Sequence, residues 1–318
     1  MINRHIFIII AVLSVTWNLQ AQWVTEQIPT TDNLNSIAMF SESVGMIVGD
    51  KGTILRKSQN GWIKFHGITD ENLYSVCYTD ENNAWAVGGN GIILYFNGQD
   101  WTKVESPTRA KLFSISFNDS ETGYITGAHG TVLKYENGIW TPIQKATRGN
   151  LYSVAAKGGI VILGGGLECI SVPLLKFSPV NNRKLEKVFT PDFIEVKGLA
   201  IASQKSLWAV GSPSSILHFN GNDWVAVEQY QKTPSLNAVY FSDENHGIAV
   251  GYSGTLLTCI KEDWTVESSP VEVKLNGACI AGNMYYAVGN EGTLISTKRF
   301  NGPGDNPGKT NKQILTSF

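Results

Sequence analysis

The stretch from Leu73 to Trp101, LYSVCYTDENNAWAVGGNGIILYFNGQDW, decides the fold of this chain. It predicts four short β-strands joined by three turns, because short apolar runs alternate with groups of turn-forming residues. Asn97-Gly98 lies between the last two runs, and Asn-Gly is a strong hairpin signal because both residues accept a positive φ. A meander of this size cannot bury both of its faces alone. The stretch therefore predicts one unit of a larger repeat.

The same pattern recurs along the chain, and each copy opens on a leucine of its first strand. These leucines are Leu34, Leu73, Leu112, Leu151, Leu199, Leu236 and Leu275. Their spacings are 39, 39, 39, 48, 37 and 39 residues. A period near 40 residues with four strands per unit is typical of a β-propeller blade. The repeat therefore predicts an all-β, seven-bladed β-propeller with four antiparallel strands in each blade.

The last copy ends after Ile295 without the Trp-led fourth strand of the others. A matching segment, WVTEQI, occurs at the other end of the chain as Trp23–Ile28. Sharing one blade between the two ends of the chain removes the exposed sheet edge of an open array. We therefore predict a ring closed by the N-terminal strand, which completes the last blade.

Residues 1–21 have the pattern of a secretory signal peptide: Arg4 and His5, the apolar run Ile6–Val15, and a small residue, Ala21, before the expected cleavage. An uncleaved anchor is the alternative, although the apolar run is short for a membrane span. We expect a secreted or periplasmic protein, with a monomeric propeller over residues 22–300 and no transmembrane segment. Residues 301–318 are polar and contain Gly and Pro, which predicts a flexible tail.

Charge and cysteine content narrow the function classes. The formal net charge of −2 gives no general attraction to nucleic acid. The four cysteines have no paired metal-ligand spacing, and Cys77 and Cys279 occupy the same repeat position in blades two and seven. That separation is too large for a disulfide, which needs Cα atoms within about 7 Å. We expect four free, mostly buried thiols, although whether any of the cysteines pair stays open. No cofactor is expected.

No catalytic or metal-binding residue is assigned from the sequence. The histidines of the predicted propeller fall at unlike repeat positions, which disfavours a metal site. Asp80, Asp119 and Asp243 instead share one position, the turn between first and second strands. We interpret these carboxylates as acceptors for turn backbones. A carbohydrate-active enzyme of sialidase or lyase type, or a glycan-binding module, is the alternative function.

Blade four departs from the repeat. The segment Gly164–Pro173 is longer than the corresponding turn in other blades, the hairpin 180–184 is also long, and Leu185 replaces the usual Trp. The first insertion is predicted to project from the rim where loops commonly bind partners. Drift in a single repeat is the alternative explanation.

The crossings from each blade to the next carry positive charge, and aromatic residues lie just inside some of them. The cations are Arg109, Lys111, Lys145, Arg148, Lys197, Lys232 and Lys274, and the aromatic residues are Tyr74, Phe113 and Tyr152. This pattern predicts a basic rim with an aromatic arc over blades two to four, suited to an acidic or extended peptide, or to a glycan. The alternative is that the cations are solvated and the aromatic residues pack between blades.

Units of the form L-x-x-V-x-F…W-A-V-G-x-x-G-x-I-L…N-G-x-W resemble the photosystem II stability and assembly factor-like propellers, which are related to the Asp-box (BNR, sialidase-type) repeats. Ala84–Gly91 and Leu207–Gly211 carry the resemblance best, and it extends over residues 23–295. It implies a non-catalytic, extracytoplasmic protein-binding scaffold that helps complexes assemble. Asn97–Trp101 departs from the strict Asp-box spacing, so sialidase chemistry is not carried over.

Overall fold

The computed structural model describes residues 22–143, 147–166, 174–177, 185–188, 195–213, 215–227 and 234–299. These residues form seven separate four-stranded antiparallel sheets, which confirms the predicted seven-bladed propeller. The proposed signal peptide, the tail 301–318 and most of both blade-four insertions lie outside the described residues. Within the described part, no helix has the length and apolar character needed to cross a membrane.

The strands are numbered along the chain, and each blade uses four that are consecutive except at the ends of the chain. The N-terminal strand is β1 (Val24–Thr25). Blades one to three contain β2 (Leu34–Met39), β3 (Gly45–Gly49), β4 (Ile54–Ser58) and β5 (Gly61–Phe65); β6 (Leu73–Asp80), β7 (Asn83–Gly88), β8 (Ile93–Phe96) and β9 (Trp101–Val104); and β10 (Leu112–Asp119), β11 (Thr122–Gly127), β12 (Val132–Glu136) and β13 (Ile139–Pro142).

Blades four to seven follow the same order. They contain β14 (Asn150–Lys157), β15 (Ile160–Gly166), β16 (Leu174–Phe177) and β17 (Leu185–Val188); β18 (Glu195–Ser203), β19 (Ser206–Ser212), β20 (Ser215–Phe219) and β21 (Trp224–Ala226); β22 (Leu236–Phe241), β23 (His246–Gly251), β24 (Leu256–Ile260) and β25 (Asp263–Val266); and β26 (Leu275–Ala281), β27 (Met284–Gly289) and β28 (Thr293–Lys298).

The fourth strand of blade seven is β1, from the other end of the chain. Val24 pairs with Ser296 and Thr25 with Ile295 in antiparallel register. Trp23 is 3% exposed and packs in an apolar cluster that includes Ile248 of blade six and Tyr285 of blade seven. The N-terminal segment therefore both supplies the outer strand of the last sheet and fills the interface between two blades.

The register of blade five differs from the sequence prediction. In the other blades the opening leucine pairs with a glycine at the end of the second strand, as Leu73 does with Gly88 and Leu151 with Gly165. In blade five Val196 pairs with Gly211, and Leu199 lies three residues further along the strand. The prediction that Leu199 opens this blade is therefore wrong. A valine replaces the leucine there, and a strand with two apolar residues three positions apart is ambiguous in sequence.

The innermost strands of neighbouring blades are joined by serine side chains. Ser36 Oγ accepts a hydrogen bond from the backbone N–H of Val76 at 3.3 Å, and Ser75 Oγ accepts one from Ile115 at the same distance. Ser114 repeats the contact with Val154 at 3.2 Å. The small residues of the first strands thus satisfy backbone donors of the next blade as well as allowing close packing.

The glycine that ends the second strand is required for space rather than for a sharp turn. Gly88 has φ −168°, an extended conformation that any residue adopts. A Cβ atom there would lie 2.1 Å from the carbonyl oxygen of Asn72. Gly91, three residues later, has φ +70°, the left-handed region that glycine favours.

Candidate functional site

Two rims of the ring carry different connections. The crossing rim contains the crossings between blades and the turns between second and third strands. Gly52 belongs to such a turn, and a Cβ atom there would lie 1.8 Å from the carbonyl oxygen of Thr69 in the following crossing. The turn rim contains the remaining turns; Gly98 of a third–fourth turn lies against Asn82 of a first–second turn, with 3.3 Å between its ideal Cβ position and the Asn82 Cβ.

The carboxylates that recur at one position of the repeat lie on the turn rim and hold turn backbones, as the sequence predicts. Asp80 Oδ1 accepts a hydrogen bond from the N–H of Asn82 at 2.9 Å. Asp119 accepts one from Thr122 at 2.8 Å, and Asp243 one from Asn245 at 2.7 Å. These carboxylates are therefore engaged in local structure and do not converge on one pocket.

The histidines of the described residues occupy separate environments. His218 is buried and stacked on Trp208 with ring centroids 3.9 Å apart, and its Nε2 lies 3.1 Å from Ser206 Oγ. Burial lowers the pKa of His218. His246 Nδ1 lies 2.9 Å from Asp243 Oδ1. Across the described ranges, no three His, Cys, Asp or Glu side chains are grouped so that they could hold a metal ion.

The cysteines within the described part, Cys77, Cys259 and Cys279, are free thiols. Cys169 lies outside that part. Burial raises the pKa of Cys259 to about 12 and also raises the pKa of Cys279. These two thiols are therefore packed as small apolar residues and not activated as nucleophiles.

At the crossing-rim end of each innermost strand, one residue bulges out of the ladder, just after the opening leucine or valine. We call these seven positions the bulge ring. Its members, in blade order, are Asn35, Tyr74, Phe113, Tyr152, Lys197, Asn237 and Asn276. Because the first strands contact one another around the ring, the bulge ring surrounds the inner opening at the crossing rim.

The aromatic members of the bulge ring contact one another across two blade boundaries. The ring centroids of Tyr74 and Phe113 are 5.9 Å apart, and those of Phe113 and Tyr152 are 5.4 Å apart. All three side chains are half-buried. The structure thus brings the three predicted residues together as one aromatic arc, and each ring retains an accessible surface.

The asparagine members bind the backbone of the next blade. The Nδ2 group of Asn35 donates to the carbonyl of Leu73 at 2.9 Å, and Asn276 donates to Leu34 at 2.9 Å. Asn237 makes the same contact with Leu275 at 2.8 Å. These side chains join neighbouring blades through hydrogen bonds to the backbone, whereas the aromatic members contact the next blade through their rings.

Lys197, the remaining member, joins a cluster that sequence reasoning missed. Its Nζ lies 5.5 Å from the ring centroid of Tyr252, and the Nζ of Lys274 lies 5.0 Å from the same centroid. Tyr252 is 40% exposed. It belongs to a second–third turn, so only the folded ring shows that it meets lysines of blades five and seven. Lys197 also lies 3.5 Å from a carboxylate oxygen of Glu195.

Three of the predicted cations are exposed on the crossing rim: Arg109, Lys111 and Arg148. Arg109 and Arg148 occupy equivalent positions in successive crossings, each directly after a threonine whose carbonyl faces the turn glycine of the preceding blade. Neither arginine forms an ion pair with another described residue. Lys145 and Lys232 lie outside the described residues. The crossing rim therefore presents exposed arginines in the two crossings that lead into the strands carrying Phe113 and Tyr152.

The fold and this rim define the class of protein: a seven-bladed antiparallel β-propeller with an aromatic and cationic surface around its inner opening. Residues 62–136, from the last strand of blade one to the third strand of blade three, match the model of the family described as photosynthesis system II assembly factor YCF48. Over these residues the match confirms the resemblance to photosystem II assembly factor-like propellers that was inferred from the sequence. No curated protein matches the chain in sequence.

Solved structures agree with the fold. YCF48 bound to D1 peptide superposes with a TM-score of 0.71 at 15% identity, covering 87% of this chain and 97% of that chain. YCF48 from Cyanidioschyzon merolae gives 0.68 at 16% identity, covering 87% and 98%. The WD40 repeats of RRP9 give 0.72 at 9% identity, covering 88% and 99%. At these identities the likeness concerns the fold alone.

Proposed function

We propose that this protein is an extracytoplasmic, non-catalytic propeller that binds a segment of a partner protein on its crossing rim and acts as an assembly scaffold. The observation that carries the proposal is the aromatic arc of Tyr74, Phe113 and Tyr152, together with the exposed Arg109 and Arg148 in the adjoining crossings, which form no ion pair with another described residue. Exposed aromatic and arginine side chains are the residue types that dominate protein-binding surfaces.

The chemistry of this surface favours an extended peptide that carries both apolar and acidic side chains. The three rings offer adjacent half-buried surfaces on which apolar groups pack. The arginines bind carboxylates through paired N–H donors, and their charge accelerates the encounter with an acidic segment. A further support is that YCF48, a propeller of the same fold, has been captured with a peptide of D1.

The test is affinity capture from envelope extracts with the double variant Arg109→Glu and Arg148→Glu. We expect this variant to lose the partner that the wild-type protein retains, because both guanidinium groups become repulsive to acidic segments. The matched control is Lys205→Glu with Lys261→Glu, which makes the same change of charge at exposed positions of the turn rim. Equal capture by wild-type protein and both double variants would overturn the proposal.

The extracytoplasmic location rests on the signal-like pattern of residues 1–21. N-terminal sequencing of the protein purified from its native host should begin at Gln22, as expected for cleavage after Ala21. A native N-terminus at Met1 together with recovery in the cytoplasmic fraction would contradict this part of the proposal. The peptide-binding part of the proposal would then be tested by the capture experiment alone.

A further inference from the structure

Blade one contains a network in which a carboxylate on the crossing rim holds two lysines of its own chain. Asp32 accepts hydrogen bonds from Lys51 Nζ at 3.0 Å and Lys64 Nζ at 3.1 Å. Thr53 Oγ1 adds a third at 3.0 Å, and Thr30 Oγ1 a fourth at 2.9 Å. Lys51, then Lys64 and the threonines, hold the pKa of Asp32 far below its usual range. The site is filled by the protein itself.

The equivalent positions of blade two carry different residues. Glu71 corresponds to Asp32, Asn90 to Lys51, and Ile92 to Thr53, whereas Lys103 keeps the position of Lys64. Glu71 Oε1 accepts a hydrogen bond from Asn90 Nδ2 at 2.6 Å. Within the described residues, Lys103 forms no ion pair. The ammonium group of Lys51, which neutralises Asp32 in blade one, is thus replaced in blade two by the neutral amide of Asn90.

An open groove of about 450 Å³ occupies this position in blade two. Its lining includes Asp70 and Glu71 of the crossing and Lys103 of β9, and Ile92 and Val104 supply apolar surface. The two carboxylates outnumber the one ammonium group, so the groove favours a cation over an anion. A cation on an aliphatic stem would use both the charge and the apolar lining.

We propose that this blade-two groove binds a lysine or arginine side chain of the partner polypeptide, in the place that Lys51 fills in blade one. The stem of the side chain packs against Ile92 and Val104, and its cationic group donates hydrogen bonds to Glu71 and Asp70. The inference rests on the proposed function, since it gives the partner segment a basic anchor.

The groove is continuous with the proposed peptide surface. Gly91, in the same turn as Asn90, has an ideal Cβ position 3.1 Å from the Cα atom of Arg109. Tyr74, the first ring of the aromatic arc, belongs to the same blade. A bound segment can therefore place an acidic residue at Arg109 and a neighbouring basic residue in the groove. The order of these two charges along the segment would set the register in which it binds.

The test uses a small probe and does not depend on the natural partner. N-acetyl-arginine N-methylamide is titrated into methyl-labelled protein, with the neutral isostere N-acetyl-citrulline N-methylamide as the paired control. We expect saturable shifts of the Ile92, Ile93 and Val104 methyl signals with the arginine probe and weak, non-saturating shifts with the citrulline probe. Glu71→Gln should raise the Kd of the arginine probe about three- to tenfold, as loss of a partly exposed charged hydrogen bond does.

The decisive variant is Asn90→Lys with Ile92→Thr. It gives blade two the residues that blade one carries at the equivalent positions, Lys51 and Thr53. This variant should fold, since blade one already carries the arrangement, and it should lose the saturable shifts of the Ile93 and Val104 methyl signals, which it retains. Equal shifts from both probes, or unchanged arginine binding in this variant, would overturn the proposal. Because envelope capture by the Arg109 and Arg148 variants is a separate readout, the groove and the peptide surface fail independently.

Discussion

Trp62 Nε1 donates a hydrogen bond to Glu26 Oε2 at 3.2 Å, which joins the outer strand of blade one to the segment that completes blade seven. Lys57 Nζ lies 3.6 Å from the same carboxylate and 5.0 Å from the Trp62 ring centroid. The closing segment is thus held on both sides: by β28 through the backbone ladder and by blade one through side chains. The stability of the whole ring should depend on it.

Trp23→Ala should therefore destabilise the protein by about 3–5 kcal/mol, as removal of a buried tryptophan does. The matched control is Val24→Ala, since Val24 is the next residue of the same segment and is 51% exposed. It should change the free energy of unfolding by about 0.5 kcal/mol or less. Urea denaturation of both variants checks this. Similar urea midpoints for the two variants would show that burial of Trp23 does not contribute to the stability of the closed ring.

Two glycines with similar positive φ angles allow the cost of a strained backbone to be distinguished from the cost of a steric clash. Gly52 has φ +68° and an ideal Cβ position 1.8 Å from the carbonyl oxygen of Thr69. Gly67 has φ +74° and nothing within 4 Å of its ideal Cβ position. Gly67→Ala should cost about 1–2 kcal/mol, the left-handed penalty alone.

Gly52→Ala should cost clearly more than Gly67→Ala, because the blade-one turn must also move away from the crossing. Thermal denaturation of the two variants at one pH measures the difference. Equal losses of stability would mean that the crossing adjusts without cost and that the close approach is not what selects glycine.

The Asp32 network predicts a specific dependence of stability on pH. Lys51, then Lys64 and the threonines, lower the pKa of Asp32 in the folded state. A carboxyl with a depressed folded-state pKa stabilises the protein above its unfolded-state pKa, about 4, and loses this contribution as the pH falls. Asp32→Asn should therefore lower the Tm at pH 7 and flatten the fall of Tm below pH 4.

The control for this experiment is Asp100→Asn, because Asp100 is an exposed aspartate of the third–fourth turn in blade two. It should leave the acid limb of the Tm profile as steep as in the wild-type protein. An Asp32→Asn profile parallel to that of the wild-type protein from pH 7 down to pH 2 would contradict the assignment.

The buried thiols should be protected from alkylation and disulfide exchange. In a background of Cys77→Ser and Cys169→Ser, Cys259 and Cys279 should react with a thiol reagent at pH 8 only as fast as the protein unfolds. Burial raises the pKa of Cys259 to about 12, so its thiolate is scarce at this pH. Addition of denaturant should release two thiols per chain at once. Fast reaction in native buffer would show that one of these sites opens locally.

The repeat could be predicted because its signals are local. Alternating strands, Asn-Gly turns and the paired glycines around residues 88 and 91 lie within one unit, and seven copies make the count secure. The exchange of Trp23 into the last blade was also predictable, since the missing strand and its replacement share a tryptophan-led pattern. The opening residue of blade five was not, because Val196 and Leu199 satisfy the same apolar pattern and only the backbone ladder distinguishes them.

The composition of the candidate site was predicted in part. The aromatic residues of blades two to four follow the opening leucine in sequence, and the structure brings them together as one arc. Lys197 and Lys274 were predicted as rim cations, but their shared contact with Tyr252 was missed, since the three residues are far apart in sequence. The blade-two groove was missed for a related reason: its open state follows from the geometry of Glu71 and Asn90, which are 19 residues apart.

By itself, the sequence determined the number of blades, the strand pattern within each blade and the means of closing the ring. Those features arise from strand alternation and turn chemistry over a few residues, and the same pattern occurs in several copies along the chain. Only the tertiary structure decided which side chains are already engaged and which are free. Asp32 and Glu71 occupy the same repeat position, yet one is bound by two lysines and the other borders an open groove. That difference depends on contacts between a crossing, a turn and an outer strand, and each is placed only when the blade has folded.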